Sequence, residues 1–182
     1  MGLSVTRTIR LQNELDDVLQ TIAKDERMTV TFIVNQSVRR YVEWDRHAEK
    51  FDFVEIGPAL LAELIGRQTL DDARELGKQA AKNIIRPSVE YIFVDFRLEN
   101  VIELFRRYSK YSRLGHFEDS VEGRKHVLLI RHSFGSKWSA FLEGLLRGVL
   151  EEELGIKARL TTGPETCVAR FELQATPEPG RI

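Results

Sequence analysis

Over residues 5–12 apolar and polar positions alternate: Val5, Ile9 and Leu11 fall on one face, and Thr6, Thr8, Arg10 and Gln12 on the other. A period of two predicts a half-buried strand. The period then lengthens. Leu15, Val18, Leu19, Ile22 and Ala23 recur at helical spacing behind Asn13, an N-cap residue type. Glu14, Asp16 and Asp17 fill the following turn, where the helix dipole favours acids. After a polar break at residues 24–27, Thr29 or Thr31 can cap a second helix. Its stripe is Val30, Val34, Val38 and Val42, with Tyr41 alongside, and it is expected to run past Trp44 toward Lys50.

Beyond residue 50 the pattern predicts a second domain. Residues 51–56 read as a strand closed by Gly57 and Pro58, and Pro58 suits the first turn of a helix through Leu60, Leu61, Leu64 and Ile65. Thr69 with Asp72 resembles a capping box ahead of Leu70, Ala73, Leu76, Ala80, Ala81, Ile84 and Ile85, a helix that Pro87 is expected to stop. Residues 89–96 are densely apolar and fit either a strand or a buried connection. A basic amphipathic helix follows, with Val101, Ile102, Leu104, Phe105 and Tyr108 on its apolar side.

From Gly115 the period returns to two. Residues 117–121 and 125–133 read as a hairpin, and residues 156–162 and 166–173 as a second one around Gly163 and Pro164. Between them lies a strongly apolar helix, residues 137–154, whose Gly144 and Gly148 allow another element close to its backbone. The expected fold class is α+β: a small N-terminal dimerisation module, then several helices and an antiparallel ββαββ part. The expected domains are residues 1–50 and 51–175, with 176–182 as a disordered Pro- and Gly-containing tail.

One strand and two helices bury too little apolar surface to stand alone. Antiparallel pairing of two copies gives a two-stranded ribbon on four helices. In this respect the N-terminal stretch resembles the ribbon-helix-helix repressors of the Arc/MetJ type. The resemblance implies a homodimer that lays its ribbon in the major groove of double-stranded DNA. It places Thr6, Thr8 and Arg10 against base edges, with the second helix start, near Thr29 and Thr31, holding phosphates. A plain dimerisation module with a solvated strand face is the competing reading. No acid occurs in residues 1–12, where Arg7 and Arg10 lie, and that favours DNA.

Composition narrows the options. The chain has 182 residues, 42% hydrophobic and 30% charged, room for this module and one ordinary domain. A net charge of −1 disfavours a surface that coats nucleic acid broadly, but site-specific binding needs only a local basic patch. The single cysteine, Cys167, excludes an internal disulfide and fits a reducing compartment. No apolar leader or bilayer-spanning run is evident, so a cytoplasmic protein without membrane association is expected.

A second resemblance lies in the last third. Residues 141–148 (Phe-Leu-Glu-Gly-Leu-Leu-Arg-Gly), then Leu154-Gly155, then residues 165–171 (Glu-Thr-Cys-Val-Ala-Arg-Phe) are similar to the 4-vinyl reductase, or hydrocarbon-binding, domain. That domain shares its fold with haem nitric-oxide-binding domains and trafficking-complex subunits. The likeness implies a small apolar ligand near Trp138 and Phe141, with Cys167 close by. Many members bind metal through several cysteines in this region; this chain has one.

Candidate chemistry is otherwise thin. His126 and His132 share a predicted strand, and Cys167 could neighbour them, but no tight ligand spacing links these with His47 or His116. No metal site or cofactor is therefore expected. Residues 133–137 lead into a helix start without matching a phosphate-binding loop. No catalytic triad, carboxylate pair or metalloprotease motif stands out, so an enzyme is not expected. The reading is a homodimeric DNA-binding transcriptional regulator whose C-terminal domain senses a small ligand or supports oligomerisation, with a tetramer left open. The alternatives are an antitoxin with a partner-binding C-terminal domain and a metal-responsive regulator.

Overall fold

A computed structural model describes residues 5–51 and 53–174. The chain divides into two compact units, one ending at residue 52 and the other starting at residue 53. All four described strands lie in the second unit.

The first unit is helical. Helix α1 (Asn13–Asp25) is preceded by extended Gln12, whose side chain makes no cap, so Asn13 is the first helical residue rather than the N-cap expected. The helix ends with Arg27 in the left-handed region, φ 54°. There the Met28 amide donates to the Ala23 carbonyl and the Arg27 amide to the Lys24 carbonyl, which satisfies two terminal carbonyls in a Schellman arrangement. Helix α2 (Val30–Arg40) is capped by Thr29, whose hydroxyl accepts from the Phe32 amide at 3.1 Å. It continues through a π-helical turn (Tyr41–Asp45) into α3 (Arg46–Lys50), the long second helix that the valine stripe predicts.

The strand expected over residues 5–12 is absent. Among the described residues of this unit no second extended segment lies alongside to supply ladder hydrogen bonds, and residues 5–10 are all exposed. Of the strand and two helices expected here, only the helices are present.

The second unit opens with irregular backbone at residues 53–56, which corrects the strand expected over 51–56: its neighbours are helices and give it no ladder partner. Helix α4 (Pro58–Gly66) has Pro58 in its first turn, as expected. Helix α5 (Leu70–Ala80) is capped by Thr69, which accepts from the Asp72 amide while its hydroxyl donates to the Asp72 carboxylate at 2.6 Å.

Pro87 does not stop this helix. A π-helical turn (Ala81–Ile85) widens the backbone spiral just before it, and α6 (Arg86–Phe93) carries Pro87 in its first turn. A proline lacks an N–H and crowds the carbonyl one turn back, and a widened turn absorbs both defects. Residues 89–96 are accordingly mostly helix, ending at Val94 with φ 73°. Helix α7 (Leu98–Tyr111) then buries Val101, Ile102, Leu104 and Phe105.

Strands β1 (His116–Glu122), β2 (Lys125–Arg131), β3 (Arg159–Gly163) and β4 (Thr166–Glu172) form one antiparallel sheet in the order β1-β2-β4-β3. The first hairpin turns on two residues, with Gly123 at φ 62°, and the second pairs Gly163 with Thr166. Helix α8 (Ser136–Arg147) and a π-helical stretch (Gly148–Glu153) connect the hairpins, which completes the expected ββαββ part. Phe117, Leu128, Ile130, Cys167, Ala169 and Phe171 point inward from alternate strand positions into the core shared with α7 and α8.

Helices α5 and α8 cross at backbone contact. A Cβ at Gly77 would lie 2.0 Å from the Phe141 carbonyl oxygen, and one at Gly148 would lie 2.7 Å from Ala81 Cβ. Buried Ala73, Ala80 and Ala140 keep the seam narrow, and Arg74 bonds Glu143 across it at 2.9 Å. Among the described residues no helix is long and apolar enough to cross a membrane.

Candidate functional site

Two places in the chain carry functional expectations, one in each unit. In the first unit Thr6, Thr8 and Arg10 are exposed, as are Thr29 and Thr31. Thr29 has its hydroxyl committed to the Phe32 amide, which makes it the cap. Thr31 lies inside the first turn of α2. The two threonines therefore divide the roles assigned to the helix start: Thr29 orders it and Thr31 faces solvent beside it.

The same unit leaves its apolar residues uncovered. Among its described residues only Ala23 and Trp44 are buried hydrophobics, whereas Ile9, Leu15, Val18, Ile22, Phe32, Val38 and Val42 are exposed. These side chains repeat on α1, on α2 and the π-helical turn that continues it, and on the segment before them. A single copy of this unit has no closed hydrophobic core.

In the second unit a cavity of about 210 Å³ lies between α5, α7, α8 and the first hairpin. Its wall contains Trp138 and Phe141, two of the residues the sequence singles out, and Tyr108. Cys167 is not part of the wall. It sits fully buried on β4, opposite Ile130 of β2, and Ile130 does reach the cavity. Burial pushes the Cys167 thiol up to about 12, with the Glu143 carboxylate adding to the effect, so the thiol stays protonated and unreactive at neutral pH.

Phe105, Phe117, Ile84 and Ile130 also line the wall without having been singled out. Periodicity marks them as inward-facing, but it cannot say where inward side chains fail to meet.

The cavity wall carries no charged side chain. Its polar groups are the Tyr108 hydroxyl, which burial pushes up to about 12 and keeps neutral, and Ser109, whose oxygen accepts from the Phe117 amide at 3.0 Å. Trp138 is stacked on Phe141 at 4.7 Å, and its buried indole N–H has no acceptor. A space of this size exceeds cavities of about 150 Å³ that hold benzene, and its lining is almost wholly apolar. It can take a small uncharged molecule and would reject an ion.

The remaining polar clusters are structural. His132 Nδ1 accepts from the Phe134 amide at 3.2 Å, so the proton is on Nε2, which donates to Ser139 Oγ at 2.9 Å. A histidine committed in this way is no general base for Ser139. His126 bonds buried Asp119 at 3.3 Å and stacks on Phe171, with Arg106 of α7 3.7 Å from the same carboxylate. Among the described residues no three His, Cys, Asp or Glu side chains gather as metal ligands. No protein-family model, curated protein or solved structure matches this chain.

Proposed function

We propose that this chain is a homodimeric, sequence-specific DNA-binding transcriptional regulator. Its N-terminal unit pairs with that of a second copy in the ribbon-helix-helix manner, and its C-terminal unit takes a small apolar effector in the cavity beside Trp138 and Phe141. The observation that carries this reading is the open apolar face of the first unit. Ile9, Leu15, Val18, Ile22, Val38 and Val42 are exposed on elements that bury only Ala23 and Trp44. An unpaired segment with Ile9 and Leu11 on one side needs a partner strand, and an identical segment supplies one by symmetry. Pairing turns Thr6, Thr8 and Arg10 outward together from both copies.

The well-packed second unit gives less support to an antitoxin, whose C-terminal region would fold only on its partner. The test has two parts. Sedimentation of a chain cut after Lys50 should find a dimer at micromolar concentration, and selection from random-sequence DNA should return a site with two-fold symmetry. A folded monomer, or no enriched sequence, would refute the proposal.

A further inference from the structure

Helix α4 carries an apolar face that nothing else in the second unit covers. Leu61, Ala62 and Ile65 turn toward the core of the second unit, while Leu60 and Leu64 are 55% and 49% exposed. Glu63 and Arg67 lie on the same outward stripe, since positions 60, 63, 64 and 67 share one side of a helix. The two charged groups pair with each other at 3.2 Å, both largely exposed. A stripe that sets Leu64 between an acid and a base four residues apart is complementary to itself when turned through a two-fold axis. With the axis crossing the stripe midway between residues 63 and 67, Glu63 of each copy meets Arg67 of the other, and the two Leu64 side chains pack between them.

We propose that α4 pairs with α4 of a second copy, within the same dimer that the N-terminal units form. This rests on the homodimer reading above. A nine-residue helix offers less area than a stable interface needs on its own. A tether removes that difficulty: fewer than ten residues separate the end of α3 from α4, so a dimer joined through its first units holds its two α4 helices at high local concentration. The pairing places the two cavity-bearing units side by side.

The experiment uses the full chain with Leu64→Cys. The natural Cys167 is fully buried, so the introduced thiol is the one available to react. Mild oxidation should join two copies through residue 64 at least about tenfold faster than through Ser120→Cys, an exposed strand position that shares the tether but not the axis. Adding Glu63→Arg should slow the joining, and adding Arg67→Glu as well should restore it. A dimer by sedimentation whose residue 64 joins no faster than residue 120 overturns the α4 pairing while leaving the N-terminal dimer intact. A monomer by sedimentation refutes the homodimer reading itself.

Discussion

The carbonyl oxygen of Arg74 lies 1.9 Å from where a Cβ on residue 144 would stand, so Gly144 and Arg74 define the closest approach of α5 to α8. The Arg74 side chain then bonds Glu143, one residue away, at 2.9 Å. No side chain can yield here because the obstacle is backbone. Gly144→Ala should therefore cost about 3 kcal/mol or more in denaturant unfolding, through forced separation of the helices. Gly66→Ala is the control. Nothing lies within 4 Å of that Cβ, and the change should raise stability by roughly 0.5–1 kcal/mol by restricting the unfolded chain.

On the proposed DNA-binding reading the roles separate by residue. Arg10→Ala should leave folding unchanged, lower affinity for the selected site by roughly 1–3 kcal/mol and relax preference at one base pair per half-site. Thr31→Ala should weaken all sequences alike, whereas Thr29→Ala should also cost about 1 kcal/mol of stability, because Thr29 caps the helix. Titrations against single-base changes at fixed salt decide between them. An Arg10→Ala protein with unaltered base preference would remove the strand from the readout.

For the cavity, Trp138 is a built-in reporter. With Trp44→Phe, it is the sole tryptophan, and an uncharged monocyclic aromatic entering the site should change its emission in a saturable way. Ile84 lines the cavity yet is 48% exposed, which places it at the mouth. Ile84→Trp should weaken that binding at least about tenfold without unfolding the chain, and a benzoate-like anion should not bind either protein. Equal affinity in both proteins would place the ligand elsewhere.

His132 gives the second unit a pH dependence. Burial lowers its pKa, opposed in part by the Glu165 carboxylate. The unfolded state then takes up a proton at a higher pH than the folded state does. Stability is fully present above the ordinary histidine value of about 6.5, falls as pH drops through it, and levels off below the lowered folded value. Protonation also puts a hydrogen on Nδ1, where the Phe134 amide now donates. The thermal midpoint of wild type should fall more between pH 7.5 and 5.5 than that of His132→Gln. Parallel curves would assign the loss to other groups.

Val94 ends α6 at φ 73°, a conformation that a β-branched residue adopts only under strain, and its side chain is 81% exposed. Val94→Gly relieves the strain and gives up little burial. It should raise stability by about 1 kcal/mol in denaturant titration. A destabilised variant would show that the exposed side chain makes a contact in the assembled protein.

Local chemistry determined much of this molecule. Thr29 and Thr69 each start a helix because a cap hydroxyl accepts from a free amide of the first turn, and Pro58 does so because it brings no N–H there to satisfy and its ring fixes a helical φ. The two hairpins are legible because alternation and turn residues act over fewer than twenty residues. Tertiary structure decided the rest. Pro87 stays inside a helix because the neighbouring π-helical turn and the packed core outweigh its local cost. Residues 51–56 and 5–12 alternate like strands, yet a strand exists only where a neighbour completes its hydrogen bonds, and alternation cannot specify that neighbour. Trp138 and Phe141 stand out in the sequence as aromatics. That a space of about 210 Å³ remains beside them, walled by Phe105 and Phe117 from other elements, depends on how far apart those elements are held, which no local pattern states. Periodicity gives the direction of each side chain, whereas the distance between elements is set by backbone contact.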